Sequence, residues 1–298
     1  MYIPPIIVRE DIDENVKLFV IFLYHKNPQQ KQRIINRYPE LAEIVTQNEG
    51  QVRSKITVFL RTYFQTHSET INPIIAGIRD NLQKNGHHAL EMLATIMEYR
   101  WPETHKGFTF VPCLLPFSPW DEETGTIYLS LIPYINGEAG RVENKKTLSL
   151  NATQLLVHEV SHFMLWDIVA HLNIIYSPEF VSTVKHLAQE IIAPVVMNQP
   201  ELRSMLDLHD YCGNQYLKPI TLHTSRGDVN IIDFFSTEHA TMRAEGKTFE
   251  QYILRVFEIL TSLQFQLQKR MKMWNENGKK IFEKEDLFEE YIEPIDVK

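Results

Sequence analysis

Residues 155–166 read Leu-Leu-Val-His-Glu-Val-Ser-His-Phe-Met-Leu-Trp, and the reading of this stretch decides how the middle of the chain folds. It is apolar apart from His158, Glu159, Ser161 and His162, and apolar residues continue to Val169. A helix this greasy is expected to be buried, where ionisable groups are costly unless something pairs with them. His158 and His162 are four apart, which puts them on one helix face with Cβ atoms roughly 6 Å apart. Two imidazoles so placed can share one tetrahedral Zn²⁺ at about 2.0–2.1 Å each. Glu159 is turned roughly 100° around the helix, outside the ligand set but within reach of a metal-activated water. Asn151 is the expected N-cap, and a helix is predicted over roughly 152–171.

The pattern is H-E-x-x-H, in which two histidines hold zinc and the glutamate acts as general base. The chain has 12 histidines, so a chance match competes with this reading: two core histidines and a surface glutamate on an ordinary helix. Placement on a capped, apolar helix favours the metal.

Bulk properties narrow the field. The chain has 298 residues and is 44% hydrophobic, enough for one large domain or two smaller ones. Net charge is −8 with a pI near 5.9, and no stretch gathers Lys and Arg with interleaved aromatics, so nucleic acid is not an expected partner. Cys113 and Cys212 stand apart without a C-x-x-C, which points to two free thiols rather than a zinc ribbon, with a single disulfide the alternative. The first residues carry no basic leader, and the apolar run at Val16–Tyr24 is too short to span a bilayer. No membrane is expected, and a cytoplasmic location is. Glu289, Glu290 and Glu293 near the C-terminus look somewhat like the acidic export signals of some secreted effectors, but a solvated, frayed tail accounts for them.

The expected fold class is α+β, mostly helical. Helical spacing runs over 11–26, in a stretch ending near Thr46 and interrupted at Pro39, and over 52–65, 72–84 and 87–99, with Asn85-Gly86 read as a turn. The character then changes. Phe108 to Leu115 reads as a strand stopped by Pro116, and Thr126 to Ile132 as a strand placed at a sheet edge, or ended, by Pro133. Asn136-Gly137 marks a turn and a short strand is expected near 146–150. Ser177-Pro178 opens a helix reaching about Val196. Residues 220–232 read as loop with a strand, and 248–274 as one long amphipathic helix whose basic end suits the helix dipole. Three segments result: an N-terminal helical region 1–86, a core 87–215, and a C-terminal helical region 216–298 packed on it.

A catalytic zinc requires a third protein ligand and an open position. The extended form H-E-x-x-H-x-x-G-x-x-H is excluded, because Leu165 and Ile168 stand where its Gly and last His belong. A glutamate from a following helix is the alternative, either Glu179 or Glu190. Glu179 falls in a first helical turn, where the dipole alone accounts for a carboxylate. Glu190 falls mid-helix in an apolar stretch, where a buried carboxylate wants a cation, and is the preferred candidate. His186, one turn earlier on the same face, is a candidate donor to that carboxylate or a ligand itself.

Short strands with an edge strand, an H-E-x-x-H helix and then a Glu-bearing helix resemble the zincin-like core of gluzincin metallopeptidases over about residues 87–198. The resemblance implies that His158, His162 and Glu190 bind Zn²⁺, that Glu159 is the catalytic base, and that a peptide or protein is the substrate. It departs from the family where many gluzincins set an orienting acidic group: Gln189 precedes Glu190 and Pro194 stands four residues on, so the group orienting a zinc histidine must come from elsewhere. Of His209, Tyr211 and His223, Tyr211 is the chosen oxyanion donor. The strand at 126–132 is expected to hold substrate by strand addition, and the site to be gated by flanking helices or intended for a partner or export. Two alternatives stay open: a metal-binding scaffold of zincin type without peptidase activity, and a helical interaction protein bearing the motif by accident.

Overall fold

A computed structural model describes residues 2–24, 28–44, 48–121, 123–135, 145–172, 178–208, 211, 213–214, 216–278, 280 and 285–297. In chain order the elements are β1 (Ile6–Val8), α1 (Ile12–Tyr24), α2 (Pro28–Arg37), α3 (Glu49–Thr66), α4 (Ser68–Asn81), α5 (His87–Ile96), β2 (Phe108–Cys113), β3 (Trp120–Asp121), β4 (Thr126–Ser130) and α6 (Ile132–Ile135). Then follow α7 (Lys145–His171), α8 (Pro178–Met197), α9 (Pro200–Leu206), β5 (Thr221–Thr224), β6 (Gly227–Asn230), α10 (Ile231–Ala244), α11 (Phe249–Ser262), α12 (Gln264–Asn277), α13 (Glu285–Ile292) and β7 (Ile295–Asp296). The class is α+β and mostly helical. Among the described residues no helix is long and apolar enough to cross a membrane.

Contacts divide the chain into two compact units, one of Met1–His88 with Trp101–Leu156, the other of Ala89–Arg100 with Val157–Lys298. The first is built on a four-stranded sheet in the order β1-β2-β4-β3, parallel except for β3. Thr126–Ser130 is therefore an inner strand, paired on both sides and buried throughout, and not the expected edge. Its alternating apolar residues face two packed layers, as inner parallel strands do. No row of free backbone groups is left on it for an added strand. Pro133 ends the strand by opening α6, whose first turn tolerates a residue without an N–H.

Helix α1 begins where Asp11 Oδ1 accepts the Glu14 N–H at 3.0 Å. One turn on, Asn15, 1% exposed, ties this helix to the end of β2. Its Nδ2 donates to Pro112 O at 3.0 Å, and its Oδ1 accepts from Leu114 N at 3.3 Å. Asn85-Gly86 is no chain-reversing turn: residues 82–86 form a π-helical turn that runs α4 into α5. A Cβ at Gly86 would lie 2.5 Å from Ile6 Cδ1, so any larger residue there would have to push that side-chain end aside. Cys113 is a buried free thiol, and burial pushes its pKa up to about 12; Cys212 lies outside the described residues.

The strand expected near 146–150 is absent, because those residues are the first turns of α7. Asn151 is thus interior to the helix rather than its cap. Asn136-Gly137 falls outside the described residues.

In the second unit α8 is the central element, packed by α9, α10, α11 and α12. Its residues from Val184 to Met197 are almost all fully buried. The helix expected over 248–274 is two helices. Thr261 Oγ1 donates to Phe257 O at 2.5 Å and Ser262 Oγ to Ile259 O at 2.8 Å, and such back-bonds bend helices. The break follows at Leu263. Nor is the acidic tail frayed. Tyr291 is fully buried with its hydroxyl donating to Tyr216 O at 2.8 Å, Lys269 pairs with Glu290 at 2.6 Å, and β7 adds in parallel to β5.

Replacing Asn15 with alanine strands the Leu114 N–H and the Pro112 carbonyl, each worth about 1–3 kcal/mol when buried unpaired. Urea denaturation should show a loss of about 2–4 kcal/mol, and a loss within error would refute this role.

Candidate metal centre

Three side chains from α7 and α8 converge in the second unit. His158, His162 and Glu190 each offer a donor atom, and these atoms lie within 4.8 Å of one another. The two imidazoles stand one helical turn apart with ring centroids 4.5 Å apart and planes at 68°. His158 Nε2 is 3.8 Å from Glu190 Oε2. Glu159 projects from the same helix at a different angle, its Oε2 3.6 Å from His162 Nδ1.

Burial sets the electrostatics. Glu190 is 5% exposed, and burial alone would raise its carboxyl pKa. His162, His158 and His186, together with the Asn214 hydrogen bond, outweigh burial and hold the carboxyl below its ordinary value. Burial, reinforced by His162, lowers the pKa of His158. A neutral imidazole with a lone pair on a ring nitrogen is the metal-binding form.

His162 is the test of fit. It is 2% exposed, and among the described residues neither of its ring nitrogens has a hydrogen-bond partner. A buried polar group left unpaired costs about 1–3 kcal/mol. A cation coordinated by one of the nitrogens would offset that cost. Four-coordinate zinc with bonds near 2.1 Å draws its donors to about 3.4 Å apart, a small contraction from the separations found. Two histidines and a carboxylate also form a donor set that leaves a fourth position open. The three donors are of the kinds that zinc accepts.

Around these three lies a set of supporting groups. Asn214 Nδ2 donates to Glu190 Oε2 at 2.7 Å, and Gln189 Nε2 to Oε1 at 3.3 Å. Gln189 is itself held by the Trp166 indole N–H at 3.2 Å. His186 Nδ1 stands 4.0 Å from Glu190 Oε1, and its Nε2 is 2.8 Å from the Tyr216 hydroxyl. The sequence expectation that His186 faces this carboxylate matches that geometry. The Tyr211 hydroxyl lies 3.1 Å from His158 Nδ1, so this residue reaches the cluster through a histidine.

Local chain geometry explains how the loop arrives. Pro194 has no N–H to donate to the Glu190 carbonyl one turn back. Gly213, at φ +64, passes so close that a Cβ would meet Glu190 O and Pro194 Cγ at 3.4 Å. Asn214 follows directly and reaches the carboxylate. Asn198 and Asn214 went unnoticed in the sequence, and Gln189 entered only as a departure from the family's acidic neighbour; amides carry no motif, and Asn214 is 24 positions from its partner.

Other candidates stand elsewhere. Glu179 opens α8, but its side chain lies outside the described residues, as does His209. His223 is exposed on β5 and pairs with Asp228 across the hairpin, 2.5 Å apart, outside the cluster. Comparison with protein families, characterised proteins and solved structures produced no match.

The hydrogen bond and charge of Asp228 raise the pKa of His223. The pairing therefore supports the hairpin fully below the unfolded histidine's pKa and is lost as pH rises through the folded value. An NMR titration should place His223 above 6.5, and Asp228→Asn should return it toward that value; no change in the variant would remove Asp228 as the cause.

Proposed function

We propose that this chain is a zinc-dependent metallopeptidase with a zincin-like core. The observation that carries the reading is the convergence of His158, His162 and Glu190 where the buried His162 has no hydrogen-bond partner among the described residues. The order of elements supports it as well: a mostly parallel sheet with an antiparallel outer strand, then the H-E-x-x-H helix α7, then α8 bearing the third donor.

His158, His162 and Glu190 would hold the ion. Bound there, Zn²⁺ would bring the pKa of water down from about 15.7 toward 7 and polarise a substrate carbonyl. Glu159 supplies the proton chemistry. It is placed beside the ligands but outside their set, accepts the proton that an attacking water gives up, and returns it to the departing amine. Asn214 and Gln189 occupy both oxygens of Glu190, which holds the carboxylate in one rotamer and keeps it anionic. The apolar packing of α8 excludes bulk water from the back of the centre and strengthens each of these interactions.

Two measurements separate this reading from a metal-binding scaffold and from an accidental motif. Elemental analysis of the purified chain should find about one zinc per molecule, lost in His162→Ala and in Glu190→Gln; protein with no metal and no affinity for it would end the proposal. Glu159→Gln should retain the zinc while chelator-sensitive hydrolysis of a mixed peptide library falls by about 100-fold or more. Zinc present without such hydrolysis in the natural chain would leave the scaffold.

A further inference from the structure

We propose that Tyr211 is a positioning residue that sets which nitrogen of His158 faces the metal, an inference that rests on the metal-centre reading. The two ring nitrogens of His158 have different surroundings. Nε2 looks toward Glu190 Oε2 at 3.8 Å, and Nδ1 toward the Tyr211 hydroxyl at 3.1 Å. With Nε2 giving its lone pair to a cation, the ring proton sits on Nδ1 and is donated to the Tyr211 oxygen. That hydrogen bond fixes tautomer and ring angle together, the task usually done by a carboxylate or a backbone carbonyl behind a metal-binding histidine.

Tyr211 is held firmly enough to do this. Asn198 Nδ2 donates to Tyr211 O at 2.6 Å, and Tyr211 N donates to Asn198 Oδ1 at 3.1 Å. One amide side chain thus grips both peptide groups of the tyrosine and aims its ring, which stands nearly perpendicular to the imidazole at 77°. Asn198 directly follows α8, the helix that carries Glu190. A single helix therefore places the carboxylate donor itself and, through Asn198 and Tyr211, the orientation of a histidine on α7. The Tyr211 hydroxyl thus supports the ligand shell through His158.

Tyr211→Phe removes the hydroxyl that faces His158 Nδ1. In competition with a chelator, the full-length variant should bind zinc about 10–100-fold more weakly than the natural chain, while the zinc-free proteins melt alike. Asn198→Ala should weaken binding in the same direction. In zinc-loaded natural protein, ¹⁵N NMR should find the His158 ring proton on Nδ1. Unchanged zinc affinity in Tyr211→Phe, or a ring proton on Nε2 of the loaded protein, overturns the inference and leaves the metal centre standing. Failure of the natural chain to bind zinc overturns the metal centre itself. Should Tyr211→Phe not fold, the NMR proton position decides alone.

Discussion

A carboxylate buried in the middle of an apolar helix constrains everything around it. Glu190 sits where α9 to α12 surround α8 and strip it of water. In such surroundings the charged form is heavily penalised unless neighbours compensate. Three imidazoles and the Asn214 hydrogen bond do so, and their combined effect reverses the direction in which burial pushes the group. The same burial lowers the pKa of His158. A buried carboxylate facing several imidazoles is an arrangement that a divalent cation suits and an ordinary core avoids.

Compensation is uneven across the cluster. Glu190 has its donors and His158 has Tyr211, but among the described residues His162 has no hydrogen-bond partner at either nitrogen. A protein assembled for stability alone would place leucine there, since replacing buried polar groups by apolar ones of like shape is often neutral or better. The deficit falls on the residue whose geometry points into the donor set, and functional sites are where such deficits gather. Two of the supporting groups, Tyr211 and Asn214, follow α8 closely in the chain. Pro194 and Gly213 permit their approach, one by lacking an N–H and the other by lacking a side chain.

Errors in the sequence reading share a cause. The strand expected at 146–150, the edge position of 126–132, the unbroken helix over 248–274 and the loose acidic tail each came from local pattern alone. A short apolar run is compatible with strand or helix until its length is known, and here it joins a helix of 27 residues. Whether a strand is inner or outer depends on partners remote in sequence. The helix break at Leu263 coincides with backward bonds from Thr261 and Ser262, which composition does not reveal. Tyr291 docks the tail because a distant carbonyl, that of Tyr216, is there to receive it.

What the sequence by itself determined is confined to distances along one helix. The spacing of His158, Glu159 and His162 places two imidazoles on one face and the carboxylate beside them, because the helical repeat converts residue number directly into angle. The apolar run around Glu190 likewise announces a buried charge. Tertiary structure alone decided that this charge meets those imidazoles, that Asn214 and Gln189 hold it, and that Tyr211 stands behind His158. These contacts join residues with no periodic relation, brought together by the packing of α8 and by a loop whose path no local rule specifies.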